Sequence, residues 1–371
     1  VKLKRFSPLA AGLVVGALLL SACGSDNNSA TGAGTSDSAS PAAAAGTCAS
    51  GTLNAEGSSA QQNAIDEVIA SFTSDCADAT INYNPTGSGA GITQFTAGQV
   101  DFAGSDSALK AEAGEVAKAK QRCQGNDAWN LPMVTGPIAI AYNVKGVDSL
   151  VLTPEVAAKI FKGAIKTWDD PAVAALNKNT KLPSAAIKVF FRSDESGTTE
   201  NFQKYLSGAA PKVWTDAPSK TWPGAGEGRE KSSGVAEGVK STADSVTYVE
   251  WSYAKDNNLG VSQIDNGAGP VQLTGEAVGK AVAAAKQAGT GNDLRLSLDY
   301  TTQEAGAYPI LLVTYEVVCS KGLDAGKTAL LKDFLTFFSS TQTQNSLEQV
   351  GYAPLPEQVR TKVEAAVKAI S

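Results

Sequence analysis

A chain of 371 residues, 43% hydrophobic and 18% charged, has room for two ordinary domains and a substantial core. It contains no histidine, which excludes Ser-His-Asp and Cys-His catalysis and any His-ligated zinc site. The formal charge is −6, and setting aside Lys2, Lys4 and Arg5 of the N-terminal segment leaves 28 of the 31 basic residues against 37 acidic ones. That balance argues against a nucleic-acid partner, and any anion has to be captured by local donors rather than by an attractive overall field.

Residues 1–22 have the layout of a secretory signal peptide. Lys2-Leu3-Lys4-Arg5 is basic, the run from Leu9 to Leu20 is apolar but short for a membrane span, and Leu20-Ser21-Ala22-Cys23 follows. That ending resembles the bacterial lipobox, in which cleavage leaves a lipid-modified cysteine, here Cys23, at the new N-terminus. Residues 23–46 are nearly all Gly, Ser, Ala, Thr, Asn and Asp, which bury too little apolar surface to order themselves and read as a tether. The expected location is therefore outside the cell, lipid-anchored to the outer face of the membrane.

Cys48, Cys76, Cys123 and Cys319 remain, an even number in an exported chain, and four cysteines allow three pairings. Cys48 precedes the first strand and Cys76 follows the first helix, which runs back antiparallel to it. This favours Cys48–Cys76 and, by remainder, Cys123–Cys319. No pair has CxxC spacing, so no redox or metal site is expected.

Strand-like and helical runs then alternate, which argues for an α/β fold. Thr52-Leu53-Asn54 leads through Gly57-Ser58-Ser59 into a helix with Ile65, Val68, Ile69 and Phe72 on one face. Ile81-Asn82-Tyr83 feeds Gly87-Ser88-Gly89 and a helical stretch with Ile92 and Phe95, and Asp101-Phe102-Ala103 ends at Gly104-Ser105-Asp106. The runs Pro137–Tyr142 and Pro309–Tyr315 are continuously apolar, as strands covered on both faces should be. Ile187–Phe191 runs into Arg192-Ser193-Asp194-Glu195-Ser196-Gly197-Thr198, followed by a helix with Phe202, Tyr205 and Leu206. Leu330–Phe338 is one of the C-terminal helices, and no repeat of fixed period is present.

Four turns, Gly57-Ser58-Ser59, Gly87-Ser88-Gly89, Gly104-Ser105-Asp106 and Ser196-Gly197-Thr198, share small and hydroxyl residues and are read as lying just before helices. A helix N-terminus offers unpaired N–H groups and partial positive charge, glycine admits an oxyanion to the backbone, and Ser or Thr adds a hydroxyl. Each turn alone is equally well an ordinary helix cap, and Asp106 alone reads as the cap of a helix after Leu109. Arg192, at the end of an apolar strand, adds a guanidinium that can fork onto two oxygens of a tetrahedral anion.

The order of these turns, with Thr86-Gly87-Ser88-Gly89, Asp101-Phe102-Ala103-Gly104-Ser105-Asp106 and Arg-x-Asp-x-Ser-Gly-Thr, resembles the phosphate-binding proteins of the Pst-type ABC transporter. Lys166-Thr167-Trp168-Asp169-Asp170-Pro171, Tyr248-Val249-Glu250-Trp251-Ser252-Tyr253-Ala254 and Gly351-Tyr352-Ala353-Pro354-Leu355-Pro356 extend the likeness over most of the chain from Thr52 to Pro356. The resemblance implies a two-lobed, type II periplasmic-binding-protein-like fold. Residues 47–138 and 312–371 would form one lobe and 139–311 the other, joined by two hinge strands. It implies phosphate ligands at Ser59, the Ala60 N–H, Ser88, Asp106, Arg192, Ser196, the Gly197 N–H and Thr198, with Asp194 bracing Arg192. Ala60 stands where many members have an aromatic residue and Ser59 replaces a common Thr, so Ser58 enters as a possible sharer of that contact.

The implied function is delivery of inorganic phosphate to the transmembrane permease of an ABC transporter, without catalysis or cofactor. Hydrogen phosphate keeps a proton to donate to Asp106, and sulfate does not, which makes the carboxylate a discriminator. Binding of another tetrahedral oxyanion, sulfate or molybdate, is the nearer alternative. A phosphoester hydrolase is the more distant one. A serine nucleophile would need Lys as its base, no Ser-x-x-Lys adjoins the glycine turns, and Gly322–Thr328 falls one residue short of a P-loop.

Overall fold

The computed structural model describes residues 48–371, so the signal segment 1–22, Cys23 and the tether 23–46 lie outside the described residues. Strands and helices alternate along the described chain, and most strands join one mixed sheet. Its order is Ala79–Asn84, Gly51–Gly57, Phe102–Ser105, Leu311–Cys319, Ala128–Asn143, Ser245–Glu250, Lys188–Arg192 and Glu227–Arg229, with Gly260–Val261 also paired to Ala128–Asn143.

The strand Ala128–Asn143 connects the two halves of this sheet. Residues 128–137 pair antiparallel with Leu311–Cys319, and residues 138–143 pair antiparallel with Ser245–Glu250. Its interior is buried throughout, and Leu311–Cys319 is buried at every position. Such strands have no polar face to spare, which is why the two apolar runs read without alternation in the sequence. The second connection between the halves runs beside the first, with the Ile138 N–H donating to the Ile310 carbonyl at 2.9 Å.

Buried side chains gather accordingly. One cluster around Leu53, Ile65, Phe72, Phe102, Phe334 and Val363 fills the first half, and a larger one around Ile140, Phe161, Phe202, Trp222 and Tyr248 fills the second. The stretch around Leu294 packs in the first cluster although it lies within 139–311 in sequence. Leu294 N–H donates to the Asn130 carbonyl at 3.1 Å, and Asp293 accepts from the Asn130 carboxamide at 2.7 Å.

The four cysteines pair as Cys48–Cys76 and Cys123–Cys319, with Cα separations of 5.6 and 5.4 Å, inside the range a disulfide bridges. Ile65, Val68 and Phe72 line the buried face of the helix Gln62–Asp75, as their spacing predicts. The helix expected at Leu330–Phe338 is longer, Ala325–Ser339. Its cap is Asp324, whose carboxylate accepts from the Lys327 N–H at 2.9 Å. The P-loop-like string is therefore a capped helix start. No helix among the described residues is long and apolar enough to cross a membrane.

One local expectation fails. Gly104-Ser105-Asp106 closes the strand Phe102–Ser105 but does not precede a helix, because the next one, Glu115–Arg122, begins nine residues after Asp106. Ser105 instead closes a short turn on Ser107, donating to its carbonyl at 2.7 Å and accepting from its N–H at 3.2 Å. A hydroxyl bonded to local backbone competes with helix initiation. Asp106 is thereby released from any capping role.

Candidate functional site

The first-half wall of the site is built around Asp106, which is 4% exposed. Ser58 donates to its Oδ1 at 2.6 Å, Thr314 donates to the same oxygen at 2.7 Å, and Ser88 donates to Oδ2 at 3.1 Å. Ser88 Oγ also accepts from the Asp106 N–H at 3.1 Å. Burial pushes the Asp106 carboxyl up to about 6, and the Glu250 charge adds to this, while the hydroxyls of Ser58, Thr314 and Ser88 restrain it. Among the described residues, the carboxylate thus sits with hydroxyl donors and no cation partner.

Gly57 brings the Ser58-Ser59 turn to this point. Its φ of +146° favours glycine, and a β-carbon there would collide with the Gly104 backbone. Ser58 N–H donates to the Gly104 carbonyl at 2.8 Å, and Ala60 N–H donates to Ser58 Oγ at 3.0 Å. Tyr83 pins the Ser58 carbonyl at 2.7 Å, Tyr253 the Ser59 carbonyl at 2.9 Å, and Tyr352 the Ala60 carbonyl at 2.7 Å. Three tyrosines from separate elements therefore fix the backbone of one turn.

The second-half wall is built around Arg192, 2% exposed at the end of the strand Lys188–Arg192. Asp194 holds one edge of it in a two-bond fork: Arg192 Nε donates to Asp194 Oδ1 at 2.7 Å, and Arg192 Nη2 donates to Asp194 Oδ2. Asp194 is itself anchored by the Lys231 N–H at 2.9 Å. Burial works against both charges, but each outweighs it for the other, so the Asp194 carboxyl lies below and the Arg192 guanidinium above its ordinary value. Asp194 is thus hydrogen-bonded to Arg192 through both of its carboxylate oxygens.

Beneath this wall lies an aromatic stack. Phe202 and Tyr248 ring centroids are 4.7 Å apart, and Trp222 lies 4.9 Å from Tyr248. The Tyr248 hydroxyl accepts from the Arg192 N–H at 3.2 Å and meets the Thr199 hydroxyl at 2.7 Å. The strand end and the following helix are thus locked to one rigid block. Ser196 caps the helix Gly197–Ala209, accepting from the Thr199 N–H at 3.1 Å. Thr198 donates to Glu250 at 2.5 Å.

The two walls meet. A β-carbon on Gly197 would stand 2.6 Å from both the Asp106 β-carbon and Ser88 Oγ, so only glycine lets the helix N-terminus approach the carboxylate this closely. Ser59 and Ser232 hydroxyls lie 3.0 Å apart, and Ser232 also accepts from Arg192 Nη1 at 3.1 Å. Gly89 N–H donates to the Glu195 carbonyl at 3.0 Å. Every residue singled out from the sequence, Ser58, Ser59, Ala60, Ser88, Asp106, Arg192, Asp194, Ser196, Gly197 and Thr198, lies in this one region. The arrangement offers donors from a guanidinium, hydroxyls and a helix N-terminus, with Asp106 as acceptor among the hydroxyls of Ser58, Ser88 and Thr314.

Three participants escaped the sequence reading. Thr314 lies in the run Pro309–Tyr315, which reads as apolar throughout, and its hydroxyl is the available signal. Ser232 opens the helix Lys231–Ser241 within Lys231-Ser232-Ser233-Gly234, a composition like that of the other turns, and it was open to the same reasoning. Glu250 lies within Tyr248–Ala254, and only the structure shows it fully buried at a strand end as a second carboxylate.

Comparison with known proteins decides the family. A model described as a PBP superfamily domain matches residues 42–342. The chain is similar to the phosphate-binding protein PstS 3 of Mycobacterium tuberculosis, with 43% identity over 376 residues covering 100% of both chains. The chain belongs to the PstS family of phosphate-binding proteins. It is also similar to phosphate-binding protein PstS2 of Mycobacterium bovis, 44% identical over 97% of each chain.

Solved structures agree with the architecture. A high-affinity periplasmic phosphate-binding protein determined with phosphate at pH 8.5 superposes with a TM-score of 0.70 at 22% identity, covering 85% of this chain and 93% of that one. This places the α/β sheet in the periplasmic-binding-protein class. The PstS family is one of transport proteins and not of enzymes.

Proposed function

We propose that this PstS-family chain binds inorganic phosphate between the two halves of its sheet and delivers it to the permease of an ABC transporter. The observation that carries the reading is a buried carboxylate, Asp106, facing a buried guanidinium, Arg192, across hydroxyls and a helix N-terminus. Ser59, the Ala60 N–H, Ser88, Arg192, Ser196, the Gly197 N–H and Thr198 would contact the anion, and Ser58 and Asp194 would hold Asp106 and Arg192 in place. Asp106 would accept a hydrogen bond from the proton that hydrogen phosphate carries.

Sulfate at neutral pH would set an unprotonated oxygen against Asp106, two acceptors with no donor, in a buried site. That discrimination favours phosphate over the other oxyanions. The domain reading that goes with it is one lobe from 47–138 and 312–371 and another from 139–311, closing by hinge motion. Export on a lipid anchor at Cys23, placing the protein on the outer face of the membrane beside its permease, completes the proposal. Titration of the purified protein with phosphate and sulfate tests the ligand, and mass analysis of the N-terminal peptide from membranes tests the anchor. Equal affinity for both anions would reject the role given to Asp106, and an unmodified Cys23 would reject the anchor.

A further inference from the structure

The helix Gly197–Ala209 presents its first turn to the proposed ligand, yet two side chains of that same turn grip the opposite half of the molecule. Glu200 is a charged residue only 1% exposed. Its Oε2 accepts from Lys110 Nζ at 2.7 Å and from the Ser107 hydroxyl at 3.0 Å, both on the segment that follows Asp106. Its Oε1 takes Lys204 of its own helix at 2.8 Å. Asn201 beside it donates to the Asp106 carbonyl at 2.7 Å and accepts from the Tyr300 hydroxyl at 2.5 Å.

A second cross-connection, Lys220 to Glu115 at 3.0 Å, flanks the first, and both of its side chains are largely buried. None of these groups belongs to the anion-binding set. Their burial depends on the two halves being together, because Ser107, Lys110 and Glu115 come from one half and Glu200, Asn201 and Lys220 from the other.

We infer that Glu200, through Lys110 and Ser107, is an affinity-determining clasp that sets how long the closed molecule retains its phosphate without touching it. The inference rests on the phosphate-binding reading above. A buried carboxylate separated from its partners is strongly disfavoured unless water reaches it. Parting the halves therefore has to break the Lys110 and Ser107 bonds and rehydrate Glu200, whereas Lys204 stays with it on the same helix. This adds to the barrier for opening and leaves the encounter with free phosphate nearly untouched, so the effect belongs to dissociation. Burial raises the Glu200 carboxyl, but Lys204 and Lys110 outweigh it and hold the group below its ordinary value, consistent with a charged clasp at neutral pH.

The test is stopped-flow phosphate dissociation from the purified protein, with Glu200→Gln, Lys110→Met and the double variant. Glu200→Gln keeps an acceptor for Ser107 and loses the ion pairs. Each single variant is expected to release phosphate about tenfold faster with an unchanged association rate. The double variant should be little faster than either single one, and the wild-type off-rate should rise with salt more steeply than that of Lys110→Met, because Lys110 is 28% exposed. Additive single effects, or an off-rate unchanged in Lys110→Met, a substitution at a partly exposed lysine that leaves the core intact, would overturn the clasp. Wild-type protein that fails to bind phosphate would instead remove the reading on which the clasp rests, and the two failures are told apart by the unmutated control.

Discussion

The two walls of the site solve the same problem, burying a charge, in opposite ways. The second half pairs Arg192 with Asp194 so tightly that each holds the other in its charged form. The first half gives Asp106 only hydroxyls, from Ser58, Ser88 and Thr314, and leaves its carboxyl raised to about 6. A fixed cation suits attraction of any anion. A carboxylate held by hydroxyls, in its charged form an acceptor only, suits reading whether that anion carries a proton. On the proposed reading attraction and selectivity fall to different halves, which meet where Gly197 approaches Asp106 and Ser88.

The sharpest way to break this division is at Arg192. Arg192→Met should abolish measurable phosphate binding by calorimetry, a loss of at least about a hundredfold in affinity. It also strands Asp194 and should cost about 3–5 kcal/mol of stability, checked by urea unfolding. Asp194→Asn combined with Arg192→Met should recover part of that stability but none of the binding. Recovery of binding would mean that the guanidinium is not the attracting group.

A smaller effect separates the walls by pH. Glu316 lies fully buried behind Asp106. Burial pushes its carboxyl up to about 8, the Gln61 carboxamide only partly offsets this, and the Asp106 charge adds to it. Both acids hold their proton more tightly in the fold than in the unfolded chain. The stability they contribute is therefore full below their ordinary values of 3.8 and 4.5 and is lost as pH rises toward about 6 for Asp106 and about 8 for Glu316. Ligand-free protein should show a Tm that falls between pH 6 and 8, and Glu316→Gln should flatten that segment. An unchanged slope in the variant would place the titration elsewhere.

The smallest effect tests the seam. Ser232 joins Ser59 to Arg192, and Ser232→Ala removes one exchangeable hydroxyl from that bridge. A loss of severalfold in phosphate affinity, about 1 kcal/mol, is expected by titration, with sulfate rejection intact. A change in selectivity rather than affinity would move the reading of the proton out of the first half.

Much of this was legible in the sequence because it is local. Gly57, Gly87 and the Ser-Gly-Thr turn announce themselves by composition, and Arg192 and Asp194 stand two residues apart, so the brace is visible on the page. The unbroken apolar runs around Ile140 and Leu312 likewise exposed the strands that join the halves. The disulfides followed from the order of strand and helix. What stayed hidden depends on register and distance. Thr314 reaches Asp106 only because Leu311–Cys319 lies antiparallel beside Phe102–Ser105, with Tyr315 opposite Ser105. The turn after Asp106 was misread as a helix start because Ser105 binds local backbone, a competition that composition does not display. Nothing in the sequence singled out Glu200, because its cross-connection to Lys110 spans 90 residues.

The most direct measurement of the central claim is calorimetric titration of phosphate and sulfate into the wild-type protein and Asp106→Asn at neutral pH. The division of labour predicts tight phosphate binding and nearly undetectable sulfate binding in the wild type. In the variant the gap should close by at least about a hundredfold, because a carboxamide can donate to an unprotonated oxygen. An undiminished preference for phosphate in Asp106→Asn would contradict it.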